Sequence, residues 1–150
     1  MPDRSAADPA ELREAALRLL ARREHGWVEL KRKLERKGWD GAAAATVLDR
    51  LAEQGLQSDE RFAEGFARTR AEKFYGPLRI RAELAERGVD RGLIERALQA
   101  LDVDWLAQAA KWYGRRFGES PPEDIKERSR RSQALARRGF DTSVIREITD

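Results

Sequence analysis

The chain has 150 residues, 38% of them charged and 41% apolar, with a net charge of +3. That length suits one domain or several very small ones, and thirty basic side chains offer many contacts to an anionic partner. The absence of cysteine excludes disulfides and thiolate metal sites and makes a reducing cytoplasm the expected home.

Residues 1–8 are polar and aperiodic and are expected to be flexible. Asp8-Pro9-Ala10-Glu11 opens a first helix with an acidic cap and a proline at its first position. Ala16, Leu17, Leu20 and Ala21 form its predicted apolar stripe, and Gly26 its predicted end. His25 beside that glycine is expected to meet a helix C-terminal dipole. A second helix is predicted from about Trp27 to Lys37, with Trp27, Leu30 and Leu34 inward. A third follows Asp40, carrying Ala43, Ala44, Val47, Leu48 and Leu51 as far as Gly55. Its uncharged stretch from Gly41, ending at Asp49, is far too short to span a bilayer. Met1 to Ser5 lacks the apolar core of a signal peptide.

The pattern then recurs. Ser58-Asp59-Glu60 starts a helix bearing Phe62, Phe66 and Ala67. Pro77 opens the next, with Ile80 and Leu84 inward, and Asp90 begins a sixth with Leu93, Ile94, Ala97, Leu98 and Leu101. In the last third, Trp105, Ala109, Trp112, Tyr113 and Phe117 make an aromatic stripe, expected to be core. Ser120-Pro121-Pro122-Glu123 reads as a capping box with proline just inside the following helix. No stretch alternates with period two, so no sheet is expected.

One heptapeptide organises these elements. Leu-x-x-(Lys/Arg)-Gly-apolar-Asp occurs at Leu34–Asp40, Leu84–Asp90 and Leu135–Asp141, at offsets of 50 and 51 residues. Leu34, Leu84 and Leu135 are expected in the core. Gly38, Gly88 and Gly139 suit a left-handed helix end, and Asp40, Asp90 and Asp141 are placed to cap the next helix. The expected fold is all-α: three tandem three-helix repeats, at 9–56, 57–102 and 103–150, in an elongated array, straight or curved.

The stretch Gly55 to Ala63, with Arg70, Gly76-Pro77, Glu83-Leu84 and Arg87-Gly88-Val89, resembles the central signature of the RecX family of recombination regulators. The match extends over about residues 12–101 and more loosely beyond. The resemblance implies a non-enzymatic protein that binds the RecA nucleoprotein filament in its groove. There it would inhibit ATPase, strand-exchange and coprotease activities and so modulate DNA repair, recombination and the SOS response. Asp59-Glu60 matches an acidic pair of that signature and is expected to act as first-turn helix charge.

Apart from the resemblance, the basic residues are the functional signal. The middle helices carry net charges of +3 (Glu29–Lys37), +1 (Arg79–Arg87) and +5 (Lys126–Arg138). Lys31, Arg32, Arg36, Arg79, Arg81, Lys126, Arg128, Arg130, Arg131 and Arg137 are therefore the candidate partner-binding residues, suited to phosphates or an acidic protein surface. With one histidine and no phosphate-binding glycine loop, no metal, cofactor or catalytic residue is expected. A monomer is expected, with DNA contacted weakly or within the filament. The competing reading is a DNA-binding protein built from tandem helix-turn-helix-like repeats.

Overall fold

The computed structural model describes residues 8–150, and among them it contains nine α-helices and no strand. The expectation of a flexible start falls almost wholly on residues outside that span. Repeat 1 comprises α1 (Pro9–Arg22), α2 (Trp27–Arg36) and α3 (Gly41–Glu53). Repeat 2 comprises α4 (Asp59–Glu72), α5 (Pro77–Glu86) and α6 (Arg91–Ala100). Repeat 3 comprises α7 (Trp105–Phe117), α8 (Ile125–Arg138) and α9 (Thr142–Thr149). The closely packed helix pairs all lie within a repeat. Each repeat has its own core: Leu30, Leu34 and Leu48 in the first, Ile80, Leu84 and Ile94 in the second, Ala109, Leu135 and Phe140 in the third. No described helix is long and apolar enough to cross a membrane.

The heptapeptide makes the same corner three times. Gly38, Gly88 and Gly139 have φ of 98°, 77° and 101°, a region in which only glycine is free of Cβ strain. Two backbone bonds close each corner. The glycine amide donates three residues back, and the next amide donates to the motif leucine carbonyl: Trp39 to Leu34 (3.1 Å), Val89 to Leu84 (3.2 Å), Phe140 to Leu135 (3.2 Å). That pairing turns Trp39, Val89 and Phe140 back into the core. Asp40, Asp90 and Asp141 then accept from the first-turn amides of Ala43, Gly92 and Val144, each at 3.0 Å.

Three local expectations are corrected. The buried arc of α1 is Leu12, Ala16 and Leu19, with Leu17 and Leu20 at its margins and Ala21 exposed. The i, i+4, i+7 spacing of that arc centres it one residue away from the predicted stripe. Gly26 does not end α1, which stops at Arg22; it caps the start of α2. The cap of α8 is Asp124, whose carboxylate accepts from the Glu127 amide at 2.8 Å, so Ser120–Glu123 lies before the helix. Trp105, Trp112 and Tyr113 line the third core at half burial, Phe117 packs on Trp112 and Tyr113, and only Ala109 on that helix is fully enclosed.

The repeats join in a common manner: the corner of one repeat docks on the start of the middle helix of the repeat before it. Gly88 faces the Val28 side chain near the start of α2, and Arg32 donates to the Glu86 carbonyl at 3.1 Å. Gly139 lies against Gly76 and Arg79 at the start of α5, and Arg79 donates to the Arg137 carbonyl at 3.0 Å. Glu86 and Arg137 both stand two residues before their corner glycine, so the two arginines grip equivalent carbonyls. At the second junction the amides of Gly76 and Leu78 also donate to the carbonyls of Arg138 (2.7 Å) and Gly139 (3.0 Å). Orphan amides of one helix start thus meet orphan carbonyls of another helix end.

Candidate partner-binding face

The middle helices α2, α5 and α8 carry all ten candidate cations, but the fold gives these cations very different work. Arg32 and Arg79 are the inter-repeat grips just described. Arg79 also lies 4.5 Å from the Tyr75 ring centroid. Arg81 bonds Glu95 of α6 at 2.5 Å, and its neighbouring guanidinium holds that carboxyl below its ordinary range. Lys31 pairs loosely with Glu35 at 3.8 Å. Arg128 pairs with Asp150, joining α8 to the carboxyl-terminal end of α9. Arg130 bonds Glu127 at 2.8 and 2.9 Å and lies over Phe117.

Arg131 is the main correction. It is only 7% exposed and does not belong to a solvent-facing surface. Its guanidinium donates to Glu127 (3.0 Å), the Tyr113 hydroxyl (3.0 Å) and the Ser120 carbonyl (2.8 Å), and it lies 5.1 Å from the Phe117 ring centroid. A charge this enclosed needs hydrogen-bond partners on every side, and α7 and the loop after it supply them. Glu127, between Arg130 and Arg131, is held down at about 2 by their hydrogen bonds. Arg131 is a strut of repeat 3.

Among the described residues, Arg36, Lys126 and Arg137 are the candidates whose side chains make no hydrogen bond, ion pair or ring contact within the chain. All three are exposed. Arg36 and Arg137 occupy equivalent positions, two residues before the corner glycines of repeats 1 and 3. The +5 balance of α8 therefore overstates the donors it offers a partner, because carbonyls, rings and carboxylates of the chain itself take up most of them.

Several residues at the first junction escaped the sequence reading. Asp59 is more than a first-turn charge: it accepts from the Trp27 amide of the preceding repeat at 2.8 Å. Gln57, 3% exposed, donates to the His25 carbonyl (3.2 Å) and to Asp59 (3.0 Å). His25 itself is 1% exposed in the α1–α2 linker, bonded to Lys33 and to the carbonyl of Arg23, the C-terminal cap of α1. Arg138 anchors the second junction by donating to the carbonyls of Phe74 (3.2 Å) and Lys73 while stacking 4.0 Å from the Tyr75 centroid. Phe74, with φ of 65°, is a rare left-handed non-glycine residue, and Arg138 grips its carbonyl. The only signal for these roles in the sequence was the position of Gly26 and Gly76 beside each linker.

Among the described residues no cluster of three histidine or carboxylate side chains could hold a metal ion. Three like units, joined corner to helix start and bearing unpaired cations, define a helical-repeat protein. Comparison with known proteins places that repeat. Three family profiles, described as the first, second and third three-helix domains of RecX, match residues 13–51, 58–98 and 102–149. The "Regulatory protein RecX" of Halorhodospira halophila is 49% identical over 146 residues, covering 97% of this chain and 90% of that one. That of Pseudomonas entomophila is 45% identical, covering 91% and 88%. Among solved structures, RecX from Lactobacillus salivarius superposes with a TM-score of 0.77 at 23% identity, covering 95% of each chain, which shows a shared fold. The chain belongs to the RecX family of regulatory proteins.

Proposed function

We propose that this protein binds the RecA nucleoprotein filament and inhibits its ATPase, strand-exchange and coprotease activities, acting in the cytoplasm as a monomer without catalysis of its own. Through that contact it modulates DNA repair, recombination and the SOS response. The observation that carries this reading is the family match in all three repeats, together with their joining in one direction, an arginine of α2 and one of α5 each gripping the equivalent carbonyl of the next repeat. An array of like units joined in one direction suits a partner that is itself a repeating helix. Weak contacts at successive filament subunits combine through high effective concentration. In this proposal the units are 9–56, 57–102 and 103–150, and Arg36, Lys126 and Arg137 supply the first contacts. Lys31, Arg81, Arg128 and Arg130 are recruited by exchanging intramolecular partners for the filament's anions. Arg32, Arg79 and Arg131 set the shape of the array.

Co-sedimentation separates this reading from DNA binding alone. The protein is expected to pellet with RecA filament and to remain in solution with naked single-stranded DNA of equal phosphate concentration. Equal retention by both would favour the DNA-binding alternative.

A further inference from the structure

The two junctions share a plan but are built on different rings. His25 and Tyr75 are equivalent, each directly preceding the glycine that caps a middle helix. Tyr75 is surrounded by guanidiniums, with Arg138, Arg79 and Arg70 at 4.0, 4.5 and 5.0 Å from its centroid. Those groups stay charged at any physiological pH. At the first junction the ring is an imidazole with both nitrogens occupied. Nδ1 lies 3.1 Å from the Arg23 carbonyl and Nε2 2.9 Å from the Lys33 ammonium. A carbonyl can only accept and an ammonium can only donate, so the ring is neutral, with its proton on Nδ1.

The ring's own bonds stay within repeat 1, but the main chain of the same residue heads a run of bonds that joins repeats 1 and 2. The His25 carbonyl accepts from Gln57, Gln57 donates onward to Asp59 Oδ1, and that oxygen accepts from the Trp27 amide. From the same linker, Glu24 pairs with Arg61 of α4 at 2.8 Å. We infer that the junction between repeats 1 and 2 is a titratable hinge, held closed by neutral His25 and released by its protonation, while the second junction stays closed.

The chemistry at Nε2 gives the direction. A protonated ring has donors on both nitrogens, so Nε2–H would face the Lys33 ammonium, and a bond would become a like-charge contact. Arg23 adds a second cation beside the ring. Glu29 is the facing anion, but it is already held by Arg23 (2.8 and 3.1 Å) and by the Gly26 amide (3.3 Å). From α4, the Asp59 carboxylate is committed to Trp27 and Gln57, and Arg61 to Glu24. Burial, the largest influence, together with the charges of Arg23 and Lys33, outweighs the bond to the Arg23 carbonyl and the charge of Glu29, which favour the proton, and holds the imidazole below its ordinary value of 6.5. The sign follows: an unfolded or released linker takes up a proton that the closed linker refuses. The closed state is therefore fully favoured above about pH 6.5 and loses ground as the pH falls toward the lowered value.

His25 is the only histidine of the 150 residues, so a single imidazole resonance reports it in the wild-type chain. NMR titration is expected to place its midpoint below that of a free histidine. Between about pH 7.5 and about pH 5.5, the exchange protection factor of the Trp27 amide should fall, with those of Gly76 and Leu78 unchanged. His25→Gln, which cannot titrate, should abolish that selective step. A midpoint at or above the free value would overturn the inference, as would parallel loss at both junctions or a step that survives in His25→Gln. If that variant does not fold, the wild-type midpoint and the comparison of the two junctions decide.

Discussion

Leu84→Ala is expected to destabilise the protein by about 2–5 kcal/mol, the range for leucines truncated in packed cores. Leu84 is fully buried, and its carbonyl accepts the Val89 amide that closes the second corner. Gly88→Val attacks the same corner from outside. A β-branched residue at φ of 77° carries about 1–2 kcal/mol of left-handed strain. Its Cβ would also collide with the side chain of Val28 in repeat 1. The two costs fall on different interfaces, so Gly88→Val should also loosen the first junction, whereas Leu84→Ala should not. Urea unfolding measures the first effect, and exchange protection at the Trp27 amide the second. Unchanged midpoints in both variants would remove the corner from its structural role.

Charge reversal on α8 is expected to split into two outcomes. Arg131→Glu should unfold repeat 3, because it loses its bonds to Tyr113 and Ser120 and sets a carboxylate against Glu127 in an enclosed site. Reversal of Arg36, Lys126 and Arg137 together should leave the fold intact, since substitutions on open surface change stability by about 0.5 kcal/mol or less. Filament affinity of that triple variant should nevertheless fall, and wild-type binding should weaken as salt rises, because the contacts are ionic and exposed. Circular dichroism with a filament-binding titration tests both. Native helicity in Arg131→Glu would show that this arginine is ordinary surface. Full binding by the triple variant would move the contact elsewhere.

Arg131 also shows where the sequence became silent. The corners were legible because every part is local: a leucine, a glycine that takes positive φ, an apolar residue folding back and an aspartate capping the next amides, all within seven positions. The first two turns of α8 look solvated for an equally local reason, since no apolar residue stands between Lys126 and Ala134. What buries Arg131 comes from Tyr113, Phe117 and Ser120, which belong to another helix and a loop, and helical periodicity carries no information about them. The junctions were hidden likewise. Asp59 reaches an amide 32 positions back, and Arg138 reaches carbonyls 64 and 65 positions back. Of the ten candidate cations, their place on the middle helices was readable, but which remain free depends on these distant pairings.

The proposed restraint of RecA through binding to its filament is tested most directly by the steady-state DNA-dependent ATPase of RecA. Titrating the protein onto filament of fixed concentration is expected to lower ATP hydrolysis progressively, while the protein alone hydrolyses none. ATP hydrolysis that holds steady at saturating protein would contradict the account.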